Sequence, residues 1–305
     1  MSKVQVLMST YNGEKYFEEQ LHSILNQSYA NLSILIRDDG SKDNTVSLIQ
    51  KFVKMFPDKI QFINGSNVGV IPSFYALLQA ADIEASYICF CDQDDVWMND
   101  KVERAVQALL SSDMPGMYFS STMLADQDLN PLKIWPSVPL KKPSFYNALV
   151  QNIAVGATVV INKSARELIV TKVIETNKLQ MHDWWAYLCI SAFGNVYYDE
   201  KPTIYYRQHL NNVVGGHQSI FQLLRSKWKS FRKHSGQKLL KRQALEFERL
   251  YSDQLDSAKL HQLQLFTQPR PTLSTRIQYI RNSNLYRQSK AENLLFKFLI
   301  LIDYI

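Results

Sequence analysis

The sequence predicts an α/β protein with a mostly parallel central sheet, followed by an α-helical carboxy-terminal region. Three observations lead there. Apolar runs of strand length alternate with helical stretches through the first third of the chain, and each of the first four runs ends in a polar cluster. Beyond Gly215-Gly216 the apolar spacing changes to steps of three or four, which is the helical period. Alternation of this kind is the signature of right-handed βαβ units with helices on both faces of a sheet.

The first strand is the run Val4 to Met8, and the helical pattern Glu14 to Asn26 follows it. Leu32 to Arg37 is the second strand, leading into a helix over Asp43 to Phe56. Ile60 to Ile63 precedes the helix Pro72 to Ala81, and Tyr87 to Cys91 is the fourth strand. Cys89 and Cys91 alternate within that run, so both face one side of the sheet. Together with Cys189 they form no metal-ligand or redox spacing, and all three read as buried packing. From about residue 113 the pattern loosens, with Pro at 115, 131, 136, 139 and 143, before a strand-like Gly156 to Asn162 and a helix-like Ser164 to Glu175. This middle third is expected to be irregular and to face the substrate. In the tail, Leu240, Ala244, Phe247, Tyr251, Leu255 and Ala258 follow the helical period, and Leu294 to Ile302 is apolar apart from Lys297.

Composition sets the outer bounds. A chain of 305 residues with 46% apolar residues has ample material for a core and is neither disordered nor fibrous. No run approaches the ~20 apolar residues of a spanning helix, and the start Met1-Ser2-Lys3 followed by Val4 lacks the features of a secretory signal. A cytoplasmic protein is expected. The net charge of +6 hides an asymmetry: residues 1–216 hold 18 Lys+Arg and 22 Asp+Glu, a net −4, whereas residues 217–305 hold 16 and 6, a net +10. The chain divides there into an acidic body, 1–216, and a basic helical region, 217–305.

In open α/β sheets ligands bind at the carboxyl ends of the strands, and here the four polar clusters stand at those ends. Asp92-Gln93-Asp94-Asp95 is the most informative. Its carboxylates would repel one another unless a cation or donor groups lay between them, and oxygen ligands suit Mg²⁺ or Mn²⁺ bridging to a substrate diphosphate. The same residues also fit an acidic loop that caps the next helix, with Asn99 and Asp100 as further caps. Asp38-Asp39-Gly40-Ser41 offers carboxylates to a pyrimidine N3–H or a ribose hydroxyl; taken alone, the tetrapeptide favours a plain turn followed by an N-cap at Asp43. Thr10-Tyr11-Asn12-Gly13 offers backbone groups and an aromatic face to a base, and Asn67-Val68-Gly69 reads as a turn. Met181-His182-Asp183-Trp184-Trp185 sets a carboxylate beside two indoles, an apolar setting that raises a carboxyl pKa towards that of a base working near neutrality. Asp183 as the N-cap of a helix Trp184 to Ala192 is the alternative, and the two are compatible. Tyr205-Tyr206-Arg207-Gln208-His209 ends a strand-like run with a His that is either a loop residue or a metal ligand.

Taken in order, Ser9 to Gly13, Asp38 to Ser41, Asn67 to Gly69, Asp92 to Asp95 with Trp97 and Lys101, His182 to Trp184 and Tyr206 to His209 together resemble a family 2 glycosyltransferase of the GT-A fold. The resemblance spans residues 3 to about 216 and is strongest to bacterial rhamnosyltransferases that extend cell-wall or capsular polysaccharide. It implies that Thr10, Tyr11, Asn12, Asp39, Asn67 and Asp92 bind a nucleoside diphosphate sugar, with Thr10, Tyr11 and Asp39 on the base and Asp92 on the ribose. Asp94 and His209 would hold a divalent cation, Mg²⁺ or Mn²⁺, and Asp183 would be the catalytic base of an inverting transfer to a glycan or lipid-linked glycan acceptor. The Gln-x-x-Arg-Trp motif of processive synthases is not found, which favours single transfers.

Within this reading the donor is dTDP-L-rhamnose, with a UDP-hexose as the alternative. A sugar nucleotidyltransferase would show a Gly-rich loop with Arg and Lys after the first strand, where this chain has Ser-Thr-Tyr-Asn-Gly-Glu. A nucleic-acid-binding protein using the +10 tail is argued against by the carboxylate clusters of the body. In the tail, Arg225, Lys227, Lys229, Arg232, Lys233, Lys238, Lys241 and Arg242 interleave with Phe221, Leu224, Trp228 and Phe231. That composition suits an anionic membrane surface near a lipid-linked acceptor; packing on the body or on a second copy of the chain is the alternative.

Overall fold

The computed structural model describes residues 1–110, 113–136, 141–208 and 238–305. Strands β1 (Val4–Thr10), β2 (Leu32–Asp38), β3 (Ile60–Asn64) and β4 (Tyr87–Cys91) alternate with helices α1 (Phe17–Leu25), α2 (Thr45–Met55) and α3 (Val70–Ala80). Each lies within a few residues of its sequence expectation. After β4 come β5 (Val96–Trp97), α4 (Lys101–Leu109), β6 (Gly116–Ser120), β7 (Thr122–Ala125), β8 (Pro131–Trp135) and the short α5 (Phe145–Ala148). A 3-10 turn (Gly156–Thr158), β9 (Val160–Asn162), α6 (Lys163–Val170), α7 (His182–Phe193), β10 (Asn195–Asp199) and β11 (Ile204–Arg207) complete the body. The tail supplies α8 (Leu239–Tyr251), α9 (Ser257–Thr267), α10 (Leu273–Asn282) and α11 (Lys290–Leu301).

The main sheet has seven strands in the order β10-β6-β9-β4-β1-β2-β3. All neighbours run parallel except β9, which is antiparallel to both β4 and β6. Odd and even residues of its strands face different layers, as strand geometry requires. Leu7, Leu35, Ile88 and Phe90 enter the core under α3, α6 and α7, while Val6, Met8, Ile34, Ile36, Cys89 and Cys91 enter the one under α1, α2 and α4. Strands buried on both faces read as continuous apolar runs, which is why β1, β2 and β4 were visible in the sequence, whereas β3 is the partly exposed edge strand. The middle third is less irregular than its prolines suggest. It holds β6, which joins the main sheet, and β7 and β8, which form a second sheet ordered β5-β11-β7-β8.

Register places the site. Thr10 pairs with Asp38, and Asp38 with Asn64, so three strands end level. Met8 pairs with Cys91, which sets Asp92 beside the end of β1. The chain runs from β1 outward through β2 to β3, then crosses back to β4 on the other side of β1. The crevice where the order reverses therefore opens between the ends of β1 and β4, the position at which doubly wound sheets bind ligands.

The described part of the tail is packed on the body. Phe247 and Tyr251 of α8 are fully buried, and Phe247 lies 5.7 Å from Phe145 and 6.0 Å from Trp185, ring centre to ring centre. Glu246 is buried beside them, accepting from the Glu175 backbone and from Arg249. Helices α9, α10 and α11 add Phe266, Tyr279 and Phe296 to the same core. The amphipathic stretch with Phe221, Leu224, Trp228 and Phe231 lies outside the described residues. Among the described residues, no helix is long and apolar enough to cross a membrane.

Candidate active site

The loops after β1 and β2 are tied into one surface. Asp38 is buried and accepts from Thr10 Oγ1 at 2.9 Å, from the Gly40 and Ser41 amides at 3.0 and 2.8 Å and from Ser41 Oγ at 2.5 Å. Its carboxylate is consumed in shaping the turn. Gly40 sits in that turn at φ +79°, where a Cβ would come within 3.0 Å of the Asn67 amide nitrogen, so both conformation and space require glycine. Asp39 faces the other way. Its Oδ1 accepts from Arg37 at 2.6 Å and from the Val68 amide at 2.9 Å, and its Oδ2 from the Gly69 amide at 2.9 Å. The stretch Asn67-Val68-Gly69 is thus more than a turn: its Val68 and Gly69 amides hold the Asp39 carboxylate at the cavity wall. Gln93 holds Tyr11 at the mouth, accepting from its amide at 2.8 Å and donating to its carbonyl at 3.0 Å.

The acidic loop separates its three carboxylates. Asp92 and Asp94 line the crevice, whereas Asp95 turns inward, is 1% exposed and accepts from the Arg207 amide at 3.1 Å. Burial first, and then the carboxylates of Asp94 and Asp183, push Asp92 up to about 7. Arg207 is buried and locks the loop, donating from Nε to the Asp94 carbonyl at 2.9 Å and from Nη2 to Glu19 at 2.5 Å. Lys101, also buried, lies 3.7 Å over the Trp97 ring, a contact that stands in for hydration.

The facing wall begins at the first turn of α7. The helix starts at His182 with Met181 as its N-cap, so Asp183 is not the cap that the sequence suggested. Instead Asp183 Oδ1 accepts from the Trp184 amide at 2.6 Å while the carboxyl sits in the cavity. Burial lifts its pKa to about 6, against the downward pull of hydrogen bonds from Trp184, the Asn152 side chain and Gly156. Gly156 is pressed on this turn: a Cβ there would lie 3.3 Å from Asp183 Oδ2 and 3.4 Å from His182 Nε2. His182 stacks on Phe74 at 3.8 Å between ring centres, and neither ring nitrogen has a hydrogen-bond partner. Burial holds its pKa down at about 3, so the imidazole is neutral at physiological pH.

These walls enclose one cavity of about 830 Å³. Thr10, Tyr11, Asp39, Asn67, Asp92, Asp94 and Asp183 all line it. Asn12 does not line it; at φ +49° it joins the two loops, donating its amide to Ser41 Oγ and accepting from the Lys42 amide at 2.9 Å. His209 lies outside the described residues. Among the described residues no group of three His, Cys, Asp or Glu forms a complete metal site, but the crowded oxygen donors Asp92 and Asp94 are chemically suited to a hard divalent cation. The sequence reading gave no role to Arg37, Gln93, His182 or Asn152, nor to Gln288, Ser289 and Glu292 of the tail, which complete the cavity. Arg37, Gln93 and His182 stand within or beside quoted motifs; Asn152 and the tail residues carry no local signal.

The family model described as Glycosyl transferase family 2 matches residues 5–166. Among related sequences, the dTDP-rhamnosyl transferase RfbG of Shigella flexneri is 32% identical over 235 residues, covering 72% of this chain and 80% of that protein. Among solved structures, TarS 1–349 of S. aureus in complex with UDP-GlcNAc superposes with a TM-score of 0.60 at 15% identity, covering 99% of this chain and 79% of that one. The mannosyltransferase PcManGT from Pyrobaculum calidifontis, in complex with GDP-Man and Mn²⁺, gives a TM-score of 0.55 at 18% identity, covering 99% and 81%. At such identities the two structures speak to the fold alone.

Proposed function

The chain belongs to glycosyl transferase family 2, with the GT-A fold, and from that premise we propose that it transfers L-rhamnose from dTDP-L-rhamnose, with inversion, to a hydroxyl of a growing, lipid-linked cell-wall or capsular glycan. That it is a glycosyltransferase follows from the family. What carries the finer reading is the meeting of Asp183 with the Asp92 and Asp94 carboxylates across one cavity. The choice of rhamnose is supported by the likeness to RfbG, which extends across 72% of the chain.

In this reading Thr10, Tyr11 and Asp39 hold the base with Asn67 nearby, Asp92 faces the ribose, and Asp183 faces the anomeric carbon from the opposite side. The acceptor oxygen bonds to that carbon as its proton passes to Asp183, and the carbon–oxygen bond to the diphosphate breaks, the electron pair leaving with the nucleoside diphosphate. A pKa of about 6 leaves Asp183 ionised at neutral pH yet basic enough to accept the proton. From a β-linked donor the product is an α-rhamnoside, without a covalent enzyme intermediate. Asp94, with His209 as the expected second ligand, would hold Mg²⁺ or Mn²⁺, and such an ion offsets charge on the departing diphosphate. For the lipid-linked acceptor, support comes from the exposed apolar side chains Leu294, Leu295 and Phe298 of α11 and Ile302 just after it and from the +10 charge of residues 217–305, a pairing suited to an anionic bilayer surface.

The test is a donor panel of dTDP-L-rhamnose, UDP-glucose, UDP-GlcNAc and GDP-mannose, each with Mn²⁺, Mg²⁺ or EDTA, read as nucleoside diphosphate released. Release from dTDP-L-rhamnose that needs a cation is the expected outcome. Turnover of a UDP-hexose alone would replace the donor, and full turnover in EDTA would remove the metal.

A further inference from the structure

Gln288, Ser289 and Glu292 lie beyond the matched family region, in the tail, yet they line the same cavity as Asp183. Their place is fixed by polar ties to the segment around α5. Arg287 donates from Nε and Nη2 to the Val150 carbonyl at 3.1 and 3.0 Å, Asn147 donates to the Tyr286 carbonyl at 3.0 Å, and Tyr286 Oη meets Ser144 Oγ at 2.7 Å. Gln151 spans the joint. Its Oε1 accepts from the Gln288 amide at 2.7 Å, and its Nε2 donates to Glu292 Oε2 at 3.0 Å. The next residue, Asn152, hydrogen-bonds the Asp183 carboxyl. A continuous polar wall therefore runs from Glu292 through Gln151 and Asn152 to the base.

We infer that this wall is the acceptor subsite: Glu292, oriented by Gln151, binds hydroxyls of the acceptor's terminal pyranose, while the Gln288 side chain, paired with the Lys141 amide and carbonyl at 3.0 and 3.2 Å, anchors the tail beside it, and the tail thereby selects the acceptor. The inference rests on Asp183 being the base, because the hydroxyl that loses its proton must lie on that side. Chemistry supports the class of ligand. Sugar hydroxyls both donate and accept, and a carboxylate beside a side-chain amide matches two neighbouring hydroxyls. The Trp135 ring, half-buried on the same cavity, presents an apolar face of the kind that covers the C–H face of a pyranose. The residues assigned to base, ribose and diphosphate come instead from the loops after β1 to β4, so the tail's wall is not needed for the donor.

Glu292→Gln and Glu292→Ala, each in the full chain, test this with octyl glucoside, octyl N-acetylglucosaminide and octyl rhamnoside as acceptors. The acceptor KM is expected to rise ~10-fold, the scale of one lost hydrogen bond to a charged group. Donor hydrolysis without acceptor and nucleoside diphosphate affinity should stay at wild-type values, which also shows that the variants fold. An unchanged acceptor KM in both variants overturns the inference alone. A raised donor KM with slower hydrolysis reassigns the wall to the donor and overturns it too. A wild-type chain that turns over none of the nucleotide sugars overturns the reading of the whole site.

Discussion

Asp183 and His182 are adjacent, equally buried and shifted in opposite directions, because burial disfavours the charged form of each. The acid is lifted from 3.8 to about 6 and the imidazole is lowered from 6.5 to about 3. For Asp183 the folded chain binds more protons than the unfolded between those values, so stability falls as pH rises through that window and levels off above about 6. At full ionisation the cost is on the order of 3 kcal/mol. Asp183→Asn should therefore raise Tm at pH 7.5 while lowering transfer ~10²-fold or more, with nucleotide affinity barely changed. Melting curves and single-turnover assays on one preparation check both. The wild-type rate should climb through pH 6, since the base must be deprotonated. His182 adds no inflection above that, being neutral throughout. It should, however, make the protein acid-labile, because the folded imidazole refuses a proton that the unfolded one accepts between 6.5 and about 3; His182→Phe should lower the pH midpoint of acid unfolding. For the cation, Asp94→Ala is expected to weaken Mn²⁺-dependent nucleotide binding in calorimetry, and binding with unchanged metal dependence would reject Asp94 as a ligand.

Among elements, the loops after β1, β2 and β4 were legible because a strand buried on both faces reads as an apolar run with an abrupt polar end, and edge strand β3 still showed through Ile60, Phe62 and Ile63. What the loops do was not. Asp38 and Asp39 are neighbours of one type, yet the first closes a turn and the second is aimed at the cavity by the Val68 and Gly69 amides. Likewise Asp94 faces the cavity while Asp95 turns inward, a division set by Arg207 from β11. Strand β9 was half visible, its antiparallel insertion between β4 and β6 being a pairing between distant segments. Helix α8 shows the reverse case: its apolar period was plain, but its partner was not. With Phe247 buried against Phe145 and Trp185, Phe247→Ala should cost ~3–5 kcal/mol, measured by denaturant unfolding. A loss under ~1 kcal/mol would mean that α8 is peripheral to the body's stability.

At the scale of the whole molecule, the tail faces two ways. Its inner side joins the core and the cavity, and its outer side exposes Leu294, Phe298 and Ile302. Full-length protein should co-sediment with anionic vesicles at low salt, and the double variant Leu294→Ser, Phe298→Ser should weaken this while leaving donor hydrolysis intact; a full chain that ignores such vesicles would remove the membrane role. The sequence by itself determined strands β1 to β4, the order of the motifs and seven of the residues that share the cavity, because strand period, turn chemistry and carboxylate spacing are local properties written along the chain. Only the tertiary structure decided which of two adjacent carboxylates lines the cavity, that His182 lies buried without a hydrogen-bond partner, and that Glu292 meets Gln151 beside Asp183. Those facts depend on contacts between segments far apart in sequence, and such contacts are fixed by how whole elements pack, which no local pattern records.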